Sequence, residues 1–313
     1  MSILNVEIKA KCSDPDYVRN ILRTRKADFK GTDQQIDTYF NTLNGRYKMR
    51  EGNIEFSLVY YDRENIAGPK RSQVIYYHPR KTDLVKEQLS KAMGELIVVS
   101  KQREIYFINN IKFHIDTVKE LGNFVEIEAI DRTGSIGVDK LYEQCREYLN
   151  LFKINQNDLL TDSYSDMLLE RIIEVKESSI TDIVKIASQI PEFSEPYPEE
   201  EYRKRLAGKN KLLITATYEG KIAGFKAGYE IDDHFYSWLG GVLPDFRKKK
   251  IAQKLLSYQE KWCKEKGYEK IRIKTRNKHK SMLHLLLKNN YLIIDFKLRD
   301  NELENRIILE KKL

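Results

Sequence analysis

The sequence has few cysteines and no long apolar run. Its 313 residues include 3 Cys, 7 Pro and 15 Gly. Cys12, Cys145 and Cys263 are scattered and form no CxxC pair, so we expect buried thiols rather than a disulfide framework or a zinc site. No apolar stretch approaches the roughly 18 residues of a membrane-spanning helix, and nothing in the composition indicates a long disordered region. The first residues, MSILNVEIKAK, lack the pattern of a signal peptide, so we expect a cytoplasmic protein.

Positive charge is unevenly distributed along the chain. The whole sequence has 55 Lys and Arg against 47 Asp and Glu, a net charge of +8. Residues 1–172 contain 26 cations and 26 acids, and the remaining residues contain 29 and 21, so the entire excess lies in the second half. The cations are densest between Arg247 and Lys288. This distribution favours an anionic ligand or partner for the second half.

The length and the periodicity together indicate two domains. A chain of 313 residues is longer than one average domain. Apolar residues recur at helical spacing through VDKLYEQCREYLNLF, and a strand-like run, IIEVKESS, begins soon afterwards at Ile172. We therefore expect one domain over residues 1–171 and a second over residues 172–313. Overall the prediction is a two-domain α+β protein.

Several strands of the first half have ionic side chains on one face. In the opening strand Val6, Ile8 and Ala10 alternate with charged residues, and the same alternation recurs in four later segments: GRYKMREG, SKQREIYF, IKFHIDTV and GNFVEIEAI. Turn signals lie between them, including Asn44-Gly45 and AGPKRS at 67–72. The pattern predicts an antiparallel meander, with helices near residues 14–27 and 83–93.

Two interpretations of these ionic faces are open. If the sheet closes into a barrel, inward Lys and Arg would bind a polyanion such as a triphosphate, and inward carboxylates would hold Mg²⁺ or Mn²⁺. If the sheet is open, the same residues would form salt bridges across its surface. Composition alone does not separate the two.

The order of these motifs resembles the CYTH superfamily, nearest to its class IV adenylyl cyclase-like branch. The segments NVEIKAK, NGRYKMREG, YYDRENIAGPKRS, KQREIYF, HIDTVKELGNFVEIEA and DLLTDSYSDMLL carry the resemblance over about residues 3–170. The resemblance implies an eight-stranded antiparallel barrel that forms a triphosphate tunnel, as in cyclases and triphosphatases. It implies metal binding by Glu7, Asp116, Glu126 and Glu128, and phosphate binding by Lys9, Lys48, Arg50, Lys70, Arg71, Lys101 and Arg103. It implies direct catalytic roles for Lys9, Glu126 and Glu128.

One position departs from the family motif. The family begins with ExExK, whereas this chain reads Asn5-Val6-Glu7-Ile8-Lys9. An amide oxygen at position 5 can ligate a cation but adds no negative charge. The implied consequence is weaker metal binding, with turnover that is slow or lost.

The second half alternates strands and helices. Strands are predicted at 172–177, 211–218, 221–231, 235–243, 270–275, 291–298 and 304–311, and helices at 180–190, 198–207, 248–266 and 279–289. This order indicates an α/β layer around a mixed sheet with flanking helices. The cationic run Arg247 to Lys250 falls between a strand and a helix, where helix N-terminal amides bind anions. Such a run is also common as a solvated surface.

This placement resembles the GNAT acyltransferase family, over about residues 172–313. The family loop R/Q-x-x-G-x-G/A reads here Arg247-Lys248-Lys249-Lys250-Ile251-Ala252, with Lys250 in place of the central Gly. The resemblance implies acetyl-CoA binding by Val242, by this loop and by Asn277. Leu286 occupies the approximate place of the usual tyrosine acid. Candidates for the catalytic base remain open among Glu230, Asp232 and His284.

A nucleic-acid partner is the weaker alternative for the basic half. Lys270, Arg272, Lys274 and Arg276 share one side of a strand, but no aromatic residues interleave with them in the sequence. We therefore predict a bifunctional enzyme whose partners are a triphosphate, acetyl-CoA and an amine acceptor, without nucleic acid or membrane. The alternative is a sensor in which one or both sites bind ligand without turnover.

Overall fold

The computed structural model describes residues 3–42, 44–63, 68–80, 84–193 and 195–313. Ala67 of the predicted turn and Asp83 at the predicted helix start lie outside the described residues. The chain divides into two compact units, Met1–Glu170 and Arg171–Leu313. No described helix is long and apolar enough to cross a membrane.

Eight antiparallel strands of the N-terminal unit close into a barrel in the order β1-β5-β4-β3-β2-β6-β7-β8. The strands are β1 (Ile3–Lys11), β2 (Asp28–Phe40), β3 (Arg46–Glu51), β4 (Phe56–Arg63), β5 (Lys70–Tyr77), β6 (Glu95–Ile108), β7 (Ile111–Val118) and β8 (Gly122–Asp131). Closure comes from β1, which pairs with both β5 and β8. The predicted eight-stranded barrel is confirmed.

Apolar side chains on the outer face of several barrel strands pack against helices. The helices of this unit are α1 (Pro15–Thr24), α2 (Val85–Met93), α3 (Val138–Leu151) and α4 (Tyr164–Ile172). Val6 and Ile8 on β1 are fully buried in one cluster with Leu22 of α1 and Leu141 of α3. Asp14 caps α1 by accepting a hydrogen bond from the Tyr17 amide, and Pro15 occupies the first turn. The hydrophobic core therefore lies outside the barrel, which leaves the interior to polar side chains.

The C-terminal unit is a seven-stranded mixed sheet in the order β14-β15-β13-β12-β11-β10-β9. Its strands are β9 (Ile173–Glu177), β10 (Lys211–Tyr218), β11 (Lys221–Ile231), β12 (His234–Val242), β13 (Lys270–Arg276), β14 (Leu292–Lys297) and β15 (Arg306–Lys312). Its helices are α5 (Ile180–Ala187), α6 (Glu199–Leu206), α7 (Ile251–Glu265) and α8 (Lys280–Lys288). The predicted mixed sheet with flanking helices is confirmed. The helix predicted at 248–266 begins later, at Ile251, because Lys248 and Lys250 have positive φ angles of 62° and 59°.

The sheet opens between β12 and β13. These two parallel strands pair only from Phe235 with Ile271 to Ser237 with Ile273. The register of β11 against β12 shifts beside Trp238, which is an extra residue in β12. Beyond Ser237, therefore, one edge of β12 is not paired with β13 and can meet a ligand.

Candidate ligand sites in the two units

Charged side chains predicted for the tunnel lie inside the barrel. Residues directly opposite one another in neighbouring strands share a face, and Lys9 pairs with Glu126, Glu7 with Glu128, and Arg103 with Asp116. Lys48, Arg50 and Lys101 complete the interior group, and all three are at most 7% exposed. The hypothesis of surface salt bridges is therefore wrong for these residues.

Asp37 on β2 holds three interior cations. Its Oδ2 accepts from Lys48 Nζ at 2.7 Å and Lys101 Nζ at 3.1 Å, and its Oδ1 accepts from Arg50 Nε at 2.9 Å. Burial acts to raise the pKa of Asp37, but these cations outweigh it and hold the pKa well below its ordinary value. Burial, with Arg103 next, lowers the pKa of Lys101 to about 8. The cations are thus concentrated around one fully buried carboxylate.

A second cluster joins the predicted metal and phosphate residues. Arg103 donates to both oxygens of Asp116 and to Glu126 Oε2, the last at 2.6 Å, and Lys9 Nζ lies 2.6 Å from Glu126 Oε1. Burial opposes ionisation of Glu126, yet Arg103 and Lys9 hold its pKa well below the usual range. Burial likewise opposes ionisation of Asp116, but Arg103 lowers its pKa, so both carboxylates are kept ionised, the state in which a carboxylate binds a metal.

His114 completes a donor group suited to a metal. Ligand atoms of His114, Glu126 and Glu128 all lie within 4.8 Å of one another. His114 Nδ1 is 3.1 Å from Glu126 Oε2 and 3.6 Å from Glu128 Oε1, and burial followed by Arg103 lowers the pKa of the imidazole. Glu7 and Glu128 are directly opposite on neighbouring strands, an arrangement of like charges that a bound cation would stabilise. These residues fit a divalent metal.

Asn5 also faces the interior, next to this group. It lies opposite Ser72 of β5 and Ile130 of β8, and its side chain is 5% exposed. Its Oδ1 is buried without a hydrogen-bond partner among the described residues. A buried carbonyl oxygen without a donor is suited to a cation, as is expected of an amide in the first position of the motif.

Lys70 and Arg71, which are neighbours in the predicted phosphate motif, point to opposite faces of β5. Lys70 lies opposite Glu7 on the interior face, is fully buried, and donates from Nζ to the backbone carbonyl of Leu160 at 3.0 Å. Arg71 lies opposite Val6, whose side chain points to the outer core, and is itself exposed. Alternation along β5 therefore directs Arg71 away from the interior, and the structure does not bring it to the predicted site.

Four further interior residues were not assigned a role from the sequence. Glu55 bridges Arg50 and Lys112 with contacts of 2.7 and 2.6 Å. Tyr164 donates to Asp116 Oδ2 at 2.7 Å, and its ring lies 3.6 Å from Lys9 Nζ. Asp37 and His114 are the other two. The sequence indicated His114 as part of an ionic face, whereas Asp37 lies in a strand that is polar on both faces and therefore showed no alternation.

In the C-terminal unit the basic loop precedes α7. Lys250 is the residue before the helix and has the left-handed conformation that glycine adopts more readily. Arg247 donates to the Val242 carbonyl at 3.3 Å and to Glu192 Oε2 at 2.7 Å. Ile251 is buried, whereas Ala252 is exposed. The N-terminal amides of α7 and the Arg247 guanidinium together form a cationic end to the opening beside β12.

The other predicted residues of this unit are more dispersed. Asn277 follows β13, and its side-chain amide donates to the Glu302 carbonyl at 3.0 Å. Glu230 accepts from Asn210 and Tyr268, Asp232 lies in the turn after β11, and His284 is exposed on α8. Leu286 is fully buried in α8. None of these contacts identifies a catalytic base.

Comparison with known families agrees with this architecture. The CYTH domain model matches residues 4–164, more than half of the chain. The chain belongs to the CYTH family. The model of the acetyltransferase (GNAT) family matches residues 181–291, so the chain also carries a GNAT domain. The CYTH resemblance and the GNAT resemblance inferred from the motifs are both confirmed.

One curated protein and two solved structures to which the chain is similar each cover about half of it. A Methanocaldococcus jannaschii protein named "Putative adenylate cyclase MJ0240" is 26% identical over 180 residues, covering 53% of this chain and 98% of that protein. The PH1012 protein from Pyrococcus horikoshii is 19% identical, with a TM-score of 0.45, covering 53% of this chain and 98% of its own. A GNAT family acetyltransferase from Elizabethkingia anophelis with acetyl-CoA bound is 21% identical, with a TM-score of 0.37. The match covers 45% of this chain and 99% of that structure's chain.

Proposed function

We propose that the CYTH domain binds a nucleotide or other triphosphate together with a divalent metal and acts on it. The observation that carries this proposal is the interior position of Lys9, Lys48, Arg50, Lys101 and Arg103 beside buried carboxylates. Cations enclosed in this way attract a polyanion with little screening by solvent. Asp37 keeps Lys48, Arg50 and Lys101 oriented when no phosphate is bound.

Glu7, Glu126, Glu128 and His114 would hold the metal, with Asn5 and Asp116 next to them. When bound, Mg²⁺ or Mn²⁺ neutralises phosphate charge and orients the attacking group. Arg50 and Arg103 would position the phosphates through paired N–H groups, which match phosphate oxygens in geometry. An imidazole donor makes the site better suited to Mn²⁺ than an all-oxygen set would be.

Cyclisation and hydrolysis need the same phosphate clamp, and we favour a cyclase-like activity on the resemblance. The test is a product assay with Mg²⁺ or Mn²⁺ on ATP, thiamine triphosphate and tripolyphosphate. Cyclic AMP from ATP would support the cyclase, and released orthophosphate would support a triphosphatase. If no product forms from any of the three substrates with either metal, the catalytic proposal is wrong.

Variants of Glu126 and Glu128 test whether this activity resides in the barrel interior. Replacing Glu126 and Glu128 with Gln should abolish metal-dependent turnover, because it removes two charged ligands while keeping their shape. Glu143→Gln is the matched control, since Glu143 lies on α3 with its side chain 66% exposed. Unchanged turnover in the double variant would contradict the assignment of the tunnel.

We also propose that the GNAT domain transfers an acetyl group from acetyl-CoA to an amine. The cationic loop before α7 and the opening beside β12 support it. Acetyl-CoA should raise the melting temperature by mass action, and Arg247→Glu should weaken that shift. Lys264→Glu makes the same change of charge at an exposed position of α7 and should leave the shift in melting temperature intact. The absence of any shift at millimolar acetyl-CoA would contradict a working cofactor site.

A second candidate is a sensor in which a site binds ligand without turnover. Asn5 in place of an acidic ligand and the left-handed Lys250 are the observations that favour it. Binding of a triphosphate in calorimetry, with no product in the assay above, would identify this case for the CYTH domain.

A further inference from the structure

A row of like charges crosses the outer part of the GNAT sheet. Arg276 of β13 lies directly opposite Arg306 of β15, and Arg306 lies directly opposite Lys297 of β14. Residues opposite one another in antiparallel strands point to the same face, and like charges in such positions repel. Lys274 lies two residues before Arg276 on that face, and Arg299 follows the end of β14. The fold therefore concentrates cations at one place.

Most of these cations have no acidic partner. Arg276 contacts Glu304 at 2.8 Å, and Arg272, further along the face, contacts Glu310 at 2.7 Å. Among the described residues no ion pair is formed by four others: Lys274, Lys297, Arg299 and Arg306. Asp295, on the same face of β14, accepts a hydrogen bond from the Phe296 amide instead. These four cations are therefore free of ion pairs within the described part of the chain.

The electrostatics of Lys274 agree with this arrangement. Its pKa is lowered, first by burial and then by Arg306, Lys297, Arg299 and Arg205. Each of these neighbours carries the same sign of charge. An anion at this place would relieve repulsion among groups that the sheet holds together.

The cationic group borders the opening where acetyl transfer would occur. Lys274 directly follows Ile273, the last residue of β13 that pairs with β12, and its Nζ lies 5.9 Å from the Tyr236 ring. Arg205 of α6 lies 5.1 Å from the ring of Trp238, the extra residue of β12. Lys274, Arg205 and these aromatic rings therefore lie beside the opening, and strand pairing places Arg306 and Lys297 further out on the face of Lys274.

We propose that the acetyl acceptor is a small anionic amine, whose phosphate or carboxylate groups bind Lys274, Lys297, Arg299 and Arg306. This inference rests on the proposed acetyl transfer. In that reaction the amine nitrogen bonds to the acetyl carbon, the carbon–sulfur bond of acetyl-CoA breaks, and a proton from the amine ends on the released CoA thiol. The anionic groups anchor the acceptor and leave its amine free to reach the thioester.

The fluorescence of Trp238 provides a binding test. The two tryptophans of the chain, Trp238 and Trp262, both belong to the GNAT domain, so a Trp262→Phe variant reports on the opening alone. With CoA saturating the loop, three amines are titrated: O-phosphoethanolamine, which carries a phosphate, aspartate, which carries carboxylates, and ethanolamine, which carries no anionic group. At least one anionic amine should bind more than tenfold tighter than ethanolamine and weaken with salt. The tighter-binding of the two anionic amines shows whether the site prefers a phosphate or a carboxylate group.

Charge-changing variants test the four cations. Lys274→Glu and Arg306→Glu should remove the preference for the anionic amine, and the milder Lys274→Gln should reduce it if a glutamate variant does not fold. Lys264→Glu on α7 is the matched control and should keep the preference. Equal binding of ethanolamine and the anionic amines, or a preference that survives in all the variants at the site, would overturn the inference.

An acetyl-transfer assay separates this inference from the proposal on which it rests. CoA thiol release is measured with the same three amines. Faster release with the anionic amines, reduced in Lys274→Gln, is the expected result. Equal release with ethanolamine would overturn the acceptor class but leave acetyl transfer standing. Binding of anionic amines without thiol release from any amine would contradict acetyl transfer and not the anion site.

Discussion

The guanidinium of Arg103 donates from Nη2 to Oε2 of Glu126 over 2.6 Å inside the CYTH barrel. The proposed function gives these residues opposite tasks, because Arg103 would bind phosphate and Glu126 would bind a metal. Without ligands each neutralises the other. If a metal and a triphosphate bind together, Glu126 exchanges Arg103 for the metal and Arg103 exchanges Glu126 for phosphate. We therefore expect the two ligands to bind cooperatively.

Asp37→Asn should destabilise the protein by about 3 kcal/mol, because the change leaves buried Lys48, Arg50 and Lys101 without their shared carboxylate. Tripolyphosphate should restore much of this loss, since it supplies the missing negative charge. Thermal or denaturant unfolding with and without tripolyphosphate measures both effects. Asp28→Asn, on the same strand with a side chain 60% exposed, is the control. A variant as stable as the parent would contradict the buried cation cluster.

Affinity for tripolyphosphate without metal should fall as the pH rises above about 8. The pKa of Lys101 is lowered to about 8, so its charge is present below that pH and lost above it. A bound polyanion favours the charged form, and the affinity can fall by up to roughly tenfold per pH unit. Calorimetry at pH 7 and 9 tests this, with Lys101→Arg as the reference because arginine stays charged. The same pH profile in both proteins would contradict the role of Lys101.

His114→Gln should weaken Mn²⁺ binding by roughly tenfold, the lower end of losses found when groups supporting a metal site are changed. Mg²⁺ binding should change less, because Mg²⁺ prefers oxygen donors over imidazole. Electron paramagnetic resonance of free Mn²⁺ measures the first affinity, and displacement by Mg²⁺ measures the second. An equal loss for both metals would show that His114 supports the site without selecting the metal.

Lys250→Gly should stabilise the GNAT domain by about 1 kcal/mol, because a φ of 59° is unfavourable for lysine and neutral for glycine. Acetyl-CoA should bind at least as tightly as before, since the loop amides remain. Lys249→Gly is the control: it removes the same charge from a residue whose φ is not positive. Stability that rises equally in both variants would show that charge, and not backbone strain, is the cause.

The alternation of apolar and charged residues predicted the antiparallel strands, whereas the closed eight-stranded barrel was implied by the CYTH resemblance. Val6 and Ile8 alternate with Glu7 and Lys9. In the structure Val6 and Ile8 face the outer core, and Glu7 and Lys9 face the barrel interior. β2 shows no such contrast, because Gln34 on its outer face is as polar as Asp37 on its inner face. The sequence analysis therefore did not identify Asp37, the carboxylate that pairs with Lys48, Arg50 and Lys101.

Site residues were harder to predict where contacts join distant segments. Tyr164 reaches Asp116 from a helix 48 residues later in the chain. Lys274 and Lys297 were visible as charges, but only strand register brings them to one face with Arg306. Conversely, Arg71 was adjacent to Lys70 in the motif, and the two-residue period of β5 turns it outward. A linear motif does not show which charged side chains share a face of the sheet, because strand pairing and register determine this.

The most direct test of the interior ionic site is anomalous diffraction from crystals soaked with Mn²⁺ and a non-hydrolysable triphosphate analogue. A manganese peak inside the barrel, bound by Glu126, Glu128 and His114 with the phosphates on Arg50 and Arg103, is the predicted result. A barrel interior without manganese or phosphate, when the analogue is bound elsewhere on the protein, would contradict the account.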